Sequence, residues 1–341
     1  RSTVAITAYN NRTRRVNVFN QTDVLRTVAT HGVTHRLLLG AEAGRQQSDN
    51  LRLTGYFGGS STQMLQPLAT AAVWPSVVYR ASPTDADNLV RTSVAALYLQ
   101  DQAELSKAVQ LVGGLRADRF DLTFHNRRSD SDLRRVDVLL SPRVGVIVKP
   151  RASMSVYGSY SVSFLPSAGD QFASLTTVTQ QVQPERFTNY EVGAKWDVTP
   201  AFAFTSAIYR LERTNTRSTD PNDPTHIIQT GAQRTDGMEV GVSGKPTARW
   251  TVMGGYAFQD ASVIRATTAA RAGAVVGQVP RQMFSLWNAY QVASRVNLGV
   301  GIVSRADMFA AIDNTVVLPG DRKSTRLNSS HVALSRMPSS A

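Results

Sequence analysis

Apolar and polar residues alternate one for one along much of this chain. Tyr190, Val192, Ala194 and Trp196 stand against Glu191, Gly193 and Lys195, a period of two that puts apolar groups on one face of a strand and polar or small groups on the other. Met238, Val240 and Val242 repeat the pattern against Glu239, Gly241 and Ser243. Between these stretches, a short turn at Val198–Ala201 carries Pro200, and a long polar connection runs from Thr214 to Ile228. Lys245–Ala248 then turns the chain into Trp250–Phe258. The unit of strand, tight turn, strand and long polar loop predicts an antiparallel meander.

Earlier and later segments extend it. Residues 3–10 and 15–27 read as strands joined at Asn10–Arg14, and His31–Thr34 turns into a strand ending near Gln46. TSVAALYLQDQAEL and AVQLVGGLRADRFDL pair across Ser106–Lys107, SPRVGVIVKP and MSVYGSYSVSF across Arg151–Ser153, and RQMFSLWNAYQV and RVNLGVGIVSRADMF across Ala293–Ser294. Long connections are predicted at Gln47–Arg91, at residues 125–135, at Leu165–Pro184 and at Ala261–Pro280. The spacing gives about thirteen strands before a further start at Thr315–Leu318. Leu111, Gly113 and Leu115 share one face, and Gly114, Arg116 and Asp118 the other. A charged strand face needs water or partners, which a barrel lumen supplies more readily than a sandwich core. A soluble sandwich or solenoid remains the rival on alternation alone.

No run of about 18 apolar residues occurs, so a transmembrane helix is excluded, whereas transmembrane strands need only about 9–11 residues. The mean hydropathy of -0.19 suits strands of that kind. Tyr98, Tyr157, Tyr160, Tyr190, Trp196, Tyr209, Trp250, Tyr256, Trp287 and Tyr290 recur near strand ends, as the aromatic girdles of a membrane barrel would. The predicted class is all-β, a transmembrane antiparallel up-and-down β-barrel. With no Cys, disulfides and thiolate chemistry are absent. The formal charge of +12 rests mainly on Arg scattered at strand ends and in loops. No dense basic run or aromatic RNA-binding signature accompanies it, which argues against nucleic acid. The sequence opens on Arg1 without a charged-then-apolar leader.

Residues 321–341, DRKSTRLNSSHVALSRMPSSA, break the pattern after Gly320. They resemble conceptual translation of a sequencing adapter, and the expectation is a native segment 1–320 followed by a foreign 321–341. Arg322, Lys323, Arg326 and Arg336 against Asp321 account for three of the +12 charges.

The strings SPRVGVIVKPRASMSVYGSYSVSFLPSAGDQF, ERFTNYEVGAKWDV, YRLERTNTRSTDPNDP, QTGAQRTDGMEVGVSG and DMFAAIDNTVVLPG resemble the barrel of a TonB-dependent siderophore receptor, the catecholate type above all. The resemblance runs collinearly through most of 1–320. It implies a Gram-negative outer-membrane barrel of about 22 strands plugged by an N-terminal domain. On that comparison, this chain lacks the plug, the coupling box and some strands at each end, and the fragment alone is not expected to form a competent or stably inserted transporter. The implied partners are a ferric siderophore as transported ligand, the TonB–ExbB–ExbD complex acting through the missing N-terminal region, and outer-membrane lipid or lipopolysaccharide. No resident cofactor is implied. Receptors for haem, cobalamin or oligosaccharides, and a plugless porin or adhesin, are the alternatives.

A ferric catecholate is a bulky aromatic anion, so Arg and aromatic side chains suit its binding surface. Arg127, Arg128, Arg134 and Arg135, read as one loop, are the candidate contacts, with His125, Arg217 and Phe172. Anionic lipopolysaccharide headgroups would attract the same arginines. Arg116, Asp118, Glu191, Lys195 and Glu239, with Asp236, read as lumen charges. DPNDP at 220–224 lacks the spacing and closing Glu of a calcium loop and reads as Asx and Pro turn chemistry. His31, His35, His125 and His226 have no metal-ligand spacing, and neither a nucleophile elbow nor a phosphate loop is present. No catalytic or metal-binding residue is expected.

Overall fold

The computed structural model describes residues 3–67, 76–166, 175–181, 183–219, 227–266 and 270–329. In chain order the elements are β1 (Thr3–Thr7), β2 (Tyr9–Thr30), β3 (Val33–Phe57), β4 (Gln63–Pro67), β5 (Val77–Arg80), β6 (Asp87–Glu104), β7 (Val109–Asn126), β8 (Ser131–Arg151) and β9 (Met154–Leu165). The helix α1 (Thr177–Gln181) precedes β10 (Glu185–Thr199), β11 (Phe202–Thr219), β12 (Ile227–Thr247), β13 (Trp250–Arg265), β14 (Gln282–Ala293), β15 (Val296–Arg305), β16 (Met308–Phe309), β17 (Val317–Leu318) and β18 (Asp321–Ser329). One 14-stranded antiparallel sheet runs β18-β15-β14-β13-β12-β11-β10-β9-β8-β7-β6-β3-β2, with β5 added to β3. The path is open: β2 and β18 are its two ends. No helix among the described residues is long and apolar enough to cross a membrane.

The meander and its tight turns lie where alternation predicts them, but the strands run further. β2 is continuous and pairs with β3 from Tyr9↔Thr54 to Thr30↔Val33, with no turn at Asn10–Arg14. β3 reaches Phe57, well into the stretch read as a loop from Gln47. The loop expected at 125–135 is a tight turn at 127–130, and both Arg134 and Arg135 belong to β8. The reason is physical: ladder hydrogen bonds satisfy the backbone whatever the side chains are. Beyond the membrane both faces meet water, so a strand continues after its apolar period has ended.

Register sorts the side chains into two faces. Leu39, Leu99, Leu115 and Pro142 form one cross-strand row, and Ala41, Leu97, Ala117 and Leu140 the next. On this face Leu97 is 64% exposed, Val138 74% and Ile208 59%. Large apolar groups so exposed over many strands need lipid, not water. Along β8 the run Val136, Val138, Leu140, Pro142, Val144, Val146, Val148 covers about 40 Å of strand. Tilted at about 35–45°, that spans roughly 30 Å, near the apolar band of about 25 Å in outer-membrane barrels. The opposite face carries Tyr98, Arg116, Asp118, Arg143, Ser161, Glu191 and Glu239.

Candidate functional site

The polar face is built as a wall with a rim above it. At the centre of the wall, Tyr157 of β9 lies directly opposite Gly193 of β10, and Tyr209 of β11 opposite Gly237 of β12. Each ring lies over its glycine: a Cβ at Gly193 would come within 2.5 Å of the Tyr157 ring. So placed, the Tyr157 hydroxyl donates to Glu191 Oε1 at 2.6 Å. Asn189 Nδ2 also reaches Glu191, at 3.3 Å, and Lys195 Nζ lies 5.9 Å from the Tyr157 ring centre. A concavity of about 620 Å³ is lined here by Tyr157, Ser161, Asn189, Glu191, Tyr209 and Glu239. Two strands beyond β9, Arg116 donates through Nε to Asp118 at 2.9 and 3.0 Å and through Nη2 to Glu42 at 2.9 Å. The Tyr98 hydroxyl bonds Asp23, and Gln21 donates to it at 2.8 Å.

Arg116, Asp118, Glu191, Lys195 and Glu239 therefore share the polar face. Asp236 does not: it lies on the opposite face, where Arg210 Nε donates to it at 2.7 Å. A single residue of register separates Asp236 from an inward position, and alternation counted from Glu239 puts it outward.

The rim sits at the long-loop end. Arg127, in the β7–β8 turn, donates to Asp49 at 2.8 and 3.1 Å and to Asp87 at 3.3 Å. Its two carboxylate partners raise its pKa further above the ordinary arginine range. Arg128 Nε donates to the carbonyl of Asp85 at 3.0 Å. Asp85 is buried and accepts from the Thr54 hydroxyl at 2.7 Å, from the Thr54 N–H at 2.9 Å and from the Ser82 N–H at 2.8 Å. Burial pushes its pKa up, but those hydrogen bonds and the Arg52 charge outweigh it and hold the carboxyl below its usual range.

The residues predicted as one contact loop are dispersed. Arg135 faces inward, donating to Asp137 at 2.7 Å and to the Gln180 carbonyl at 2.8 Å. Arg134 points outward to Asp121 at 2.8 and 3.1 Å. His125 is also outward, with Nδ1 2.9 Å from Asp132 Oδ1. Arg217 lies in β11, paired in register with Gln229, while Phe172 and residues 220–224 lie outside the described residues. Sequence reasoning missed the inward rim pair Arg213 and Glu185, joined at 2.9 Å, with the guanidinium 5.0 Å from the Phe187 ring centre. Among the described residues, Arg213 Nε and Asn189 Oδ1 are buried without a hydrogen-bond partner. The alternation through Asn189 and Glu191 could have placed Phe187 and Glu185 on the same face. It also missed Asp85, whose signal was Ser82 three residues before it. No group of three or more potential metal ligands occurs among the described residues.

The sequence profile described as TonB dependent receptor-like, beta-barrel, matches residues 2–330. The chain belongs to the TonB-dependent receptor β-barrel family. Barrels of this family are Gram-negative outer-membrane receptors and transporters. The siderophore receptor PiuA of Acinetobacter baumannii is 27% identical over 325 residues, covering 84% of this chain and 42% of that protein. The metal-pseudopaline receptor CntO of Pseudomonas aeruginosa is 27% identical over 310 residues, 88% of this chain and 41% of that protein. The crystal structure of PiuA superposes with a TM-score of 0.81 at 22% identity, over 95% of this chain and 50% of that one. That of the ferric-catecholate import receptor Fiu from Escherichia coli K12, in its closed form, gives 0.78 at 21%, over 94% and 49%. This receptor barrel thus spans about two fifths of its curated relatives' length. The profile match continues ten residues past Gly320, into the segment read as foreign.

Proposed function

We propose that this chain is the barrel part of an outer-membrane receptor that takes up ferric siderophores, driven by the inner-membrane TonB–ExbB–ExbD complex acting through parts of the protein outside this sequence. The observation that carries the reading is that relatives matched over the same segment are receptors for siderophore and metal-chelate complexes. The site chemistry is compatible with it. Arg135 and Arg213 face inward at the rim, and Phe187 lies against Arg213, so a chelate with anionic oxygens and aromatic rings would meet charge on both and a stacking surface at Arg213. Arg127 and Arg128 hold acceptors of the barrel itself, and a ligand would bind them by exchange, whereas Arg134 points to the outward face. His125, Arg217 and Phe172 enter only as weaker candidates.

The match to CntO favours a second reading, a metal chelate other than a catecholate. One experiment separates the two. The complete gene is expressed in an iron-limited strain lacking its other siderophore receptors, and growth is scored on individual ferric catecholates, other ferric siderophores, haem and cobalamin, with and without tonB. TonB-dependent rescue by a ferric catecholate supports the first reading, and rescue by another metal chelate alone supports the second. Rescue independent of tonB, or by none of the metal chelates, overturns both.

We also infer that the native barrel stops at Gly320 in this sequence. In register, Ser324 stands opposite Ile302, Arg326 opposite Val300 and Asn328 opposite Leu298. These three pair in register with apolar residues of β15, so the apolar alternation of the preceding strands is not continued. Long-read sequencing of the source DNA tests this: a frame that leaves Gly320 into further alternating strands supports it, and a genuinely encoded DRKSTRLNSSH overturns it.

A further inference from the structure

Near the rim, a patch of the inward face is covered. Val90 of β6 and Leu122 of β7 are 1% and 2% exposed, and register puts both on the face of Arg135: Thr92, Leu122 and Arg135 form one cross-strand row, and Val90, Phe124 and Leu133 the next. The residue packed on Val90 and Leu122 is Leu175, itself 2% exposed, with Phe124 and Leu133 at its flanks. Leu175 belongs to the connection between β9 and β10, whereas β7 and β6 lie two and three strands away from β9. At about 4.8 Å per strand, its side chain sits roughly 10–14 Å aside from the strand that its segment leaves. A connection running straight from β9 to β10 would not reach this patch; here the segment folds across the inward face.

Residues 176–181 hold it there. The Thr176 N–H donates to Thr179 Oγ1 at 2.8 Å and the Thr179 N–H to Thr176 Oγ1 at 3.1 Å, a reciprocal cap on α1. The helix lies against β8. Gln180 Nε2 donates to the Arg134 carbonyl at 3.0 Å, and Arg135 Nη1 donates to the Gln180 carbonyl at 2.8 Å. With Arg135 Nε on Asp137 at 2.7 Å, the guanidinium is gripped at two corners of its plane. Neither bond uses Nη2, so the planar fork presents these remaining N–H groups in one fixed direction.

We propose that Leu175 is a positioning residue of the ligand surface. Buried among Val90 and Leu122, it anchors α1 so that the Gln180 carbonyl holds Arg135 ready for an anionic oxygen of the ligand. The ligand in this inference rests on the uptake reading above; the grip on Arg135 does not. Without the anchor, Arg135 keeps its charge and its bond to Asp137 but loses its fixed plane, and ordering a long side chain then weighs against binding.

The test uses the complete receptor, with a radiolabelled ferric catecholate, the iron complex of dihydroxybenzoate, as probe. Modification of Arg135 by butanedione, read by peptide mass spectrometry, is the measure that needs no ligand. Leu175→Ala should raise the half-saturating concentration for uptake about two- to tenfold, the range set by one mobile long side chain, with the maximal rate unchanged. It should also quicken modification of Arg135, while Leu175→Met, which keeps the volume, should match wild type in both. In an Arg135→Ala background, Leu175→Ala should add nothing, because the anchor acts through that guanidinium. An unchanged half-saturation, a tighter one, or an equal loss in both backgrounds overturns the proposal; tighter binding would show a segment that obstructs Arg135. If wild type takes up no ferric complex, the uptake reading fails and the modification rates alone decide: equal rates in wild type and Leu175→Ala overturn the anchor.

Discussion

The wall of the polar face and the rim at the long-loop end hold their shapes by different physics. At the wall, Tyr157 is fixed because its ring lies over Gly193 and its hydroxyl meets Glu191 two residues along the same neighbouring strand. At the rim, Arg127 bridges Asp49 and Asp87, residues 78 and 40 positions away on two other strands. Steric fit is indifferent to salt and pH, whereas exposed ion pairs are screened and exchange with other anions. The division leaves a stiff wall below and charge contacts above that other anions can replace.

The largest expected effect comes from breaking the steric term. Gly193→Val puts branched carbon into the Tyr157 ring, and overpacking of this kind costs about 1–3 kcal/mol. Urea unfolding of the receptor barrel in detergent should show the midpoint falling equally in low and high salt. If high salt changes the loss, the wall is electrostatic after all and the contrast fails.

Next is Asp85. Asp85→Ala removes the acceptor of two backbone N–H groups and a hydroxyl, and an unsatisfied buried donor costs about 1–3 kcal/mol. Amide exchange of Thr54 and Ser82 should quicken, while exchange in β9 and β10 stays as it was. The same contact gives the rim an acid dependence. The folded carboxyl titrates below its ordinary value of 3.8, so its contribution is complete above that value and is lost as pH falls through the folded pKa. Protection of Thr54 should therefore be flat from neutral to about pH 5 and fall only in stronger acid. Loss of protection near neutrality would show that another group controls it.

Tyr157→Phe is smaller. It keeps the ring over Gly193 and removes one hydrogen bond, worth about 0.5–1.5 kcal/mol and more where the acceptor is charged. A fall in unfolding midpoint with no change in Gly193 exchange would sharpen the division, since it would show that packing, not the hydroxyl, sets the wall.

The same division explains what could be read from the chain. The wall was legible: Glu191, Lys195, Arg116 and Asp118 occupy positions set by a period of two, and each strand carries its own record of that period. The rim was not, because its contacts depend on how far each strand continues past the membrane. Arg127 to Arg135 looked like one basic loop because charged residues have no apolar period. The backbone nevertheless turns at 127–130 and re-enters the ladder, sending Arg134 and Arg135 to opposite faces. Asp85 was hidden for a different reason: its partner Thr54 lies 31 residues away, and the local sign, Ser82 three residues before it, marks a turn but not that partner.

Arg127→Ala should have the smallest effect on stability, since exposed ion pairs contribute about 0–1 kcal/mol even when well formed. Its value to the comparison lies in salt. In wild type, raising ionic strength should release the β7–β8 turn by screening Arg127 from Asp49 and Asp87, and amide exchange at Arg127, whose N–H donates to the Asp87 carbonyl, should quicken. In the variant that amide should exchange fast at every salt concentration, with no further response. A salt response that survives in Arg127→Ala would mean that the turn is held by other charges, and Arg127 would then stand free to meet a ligand directly.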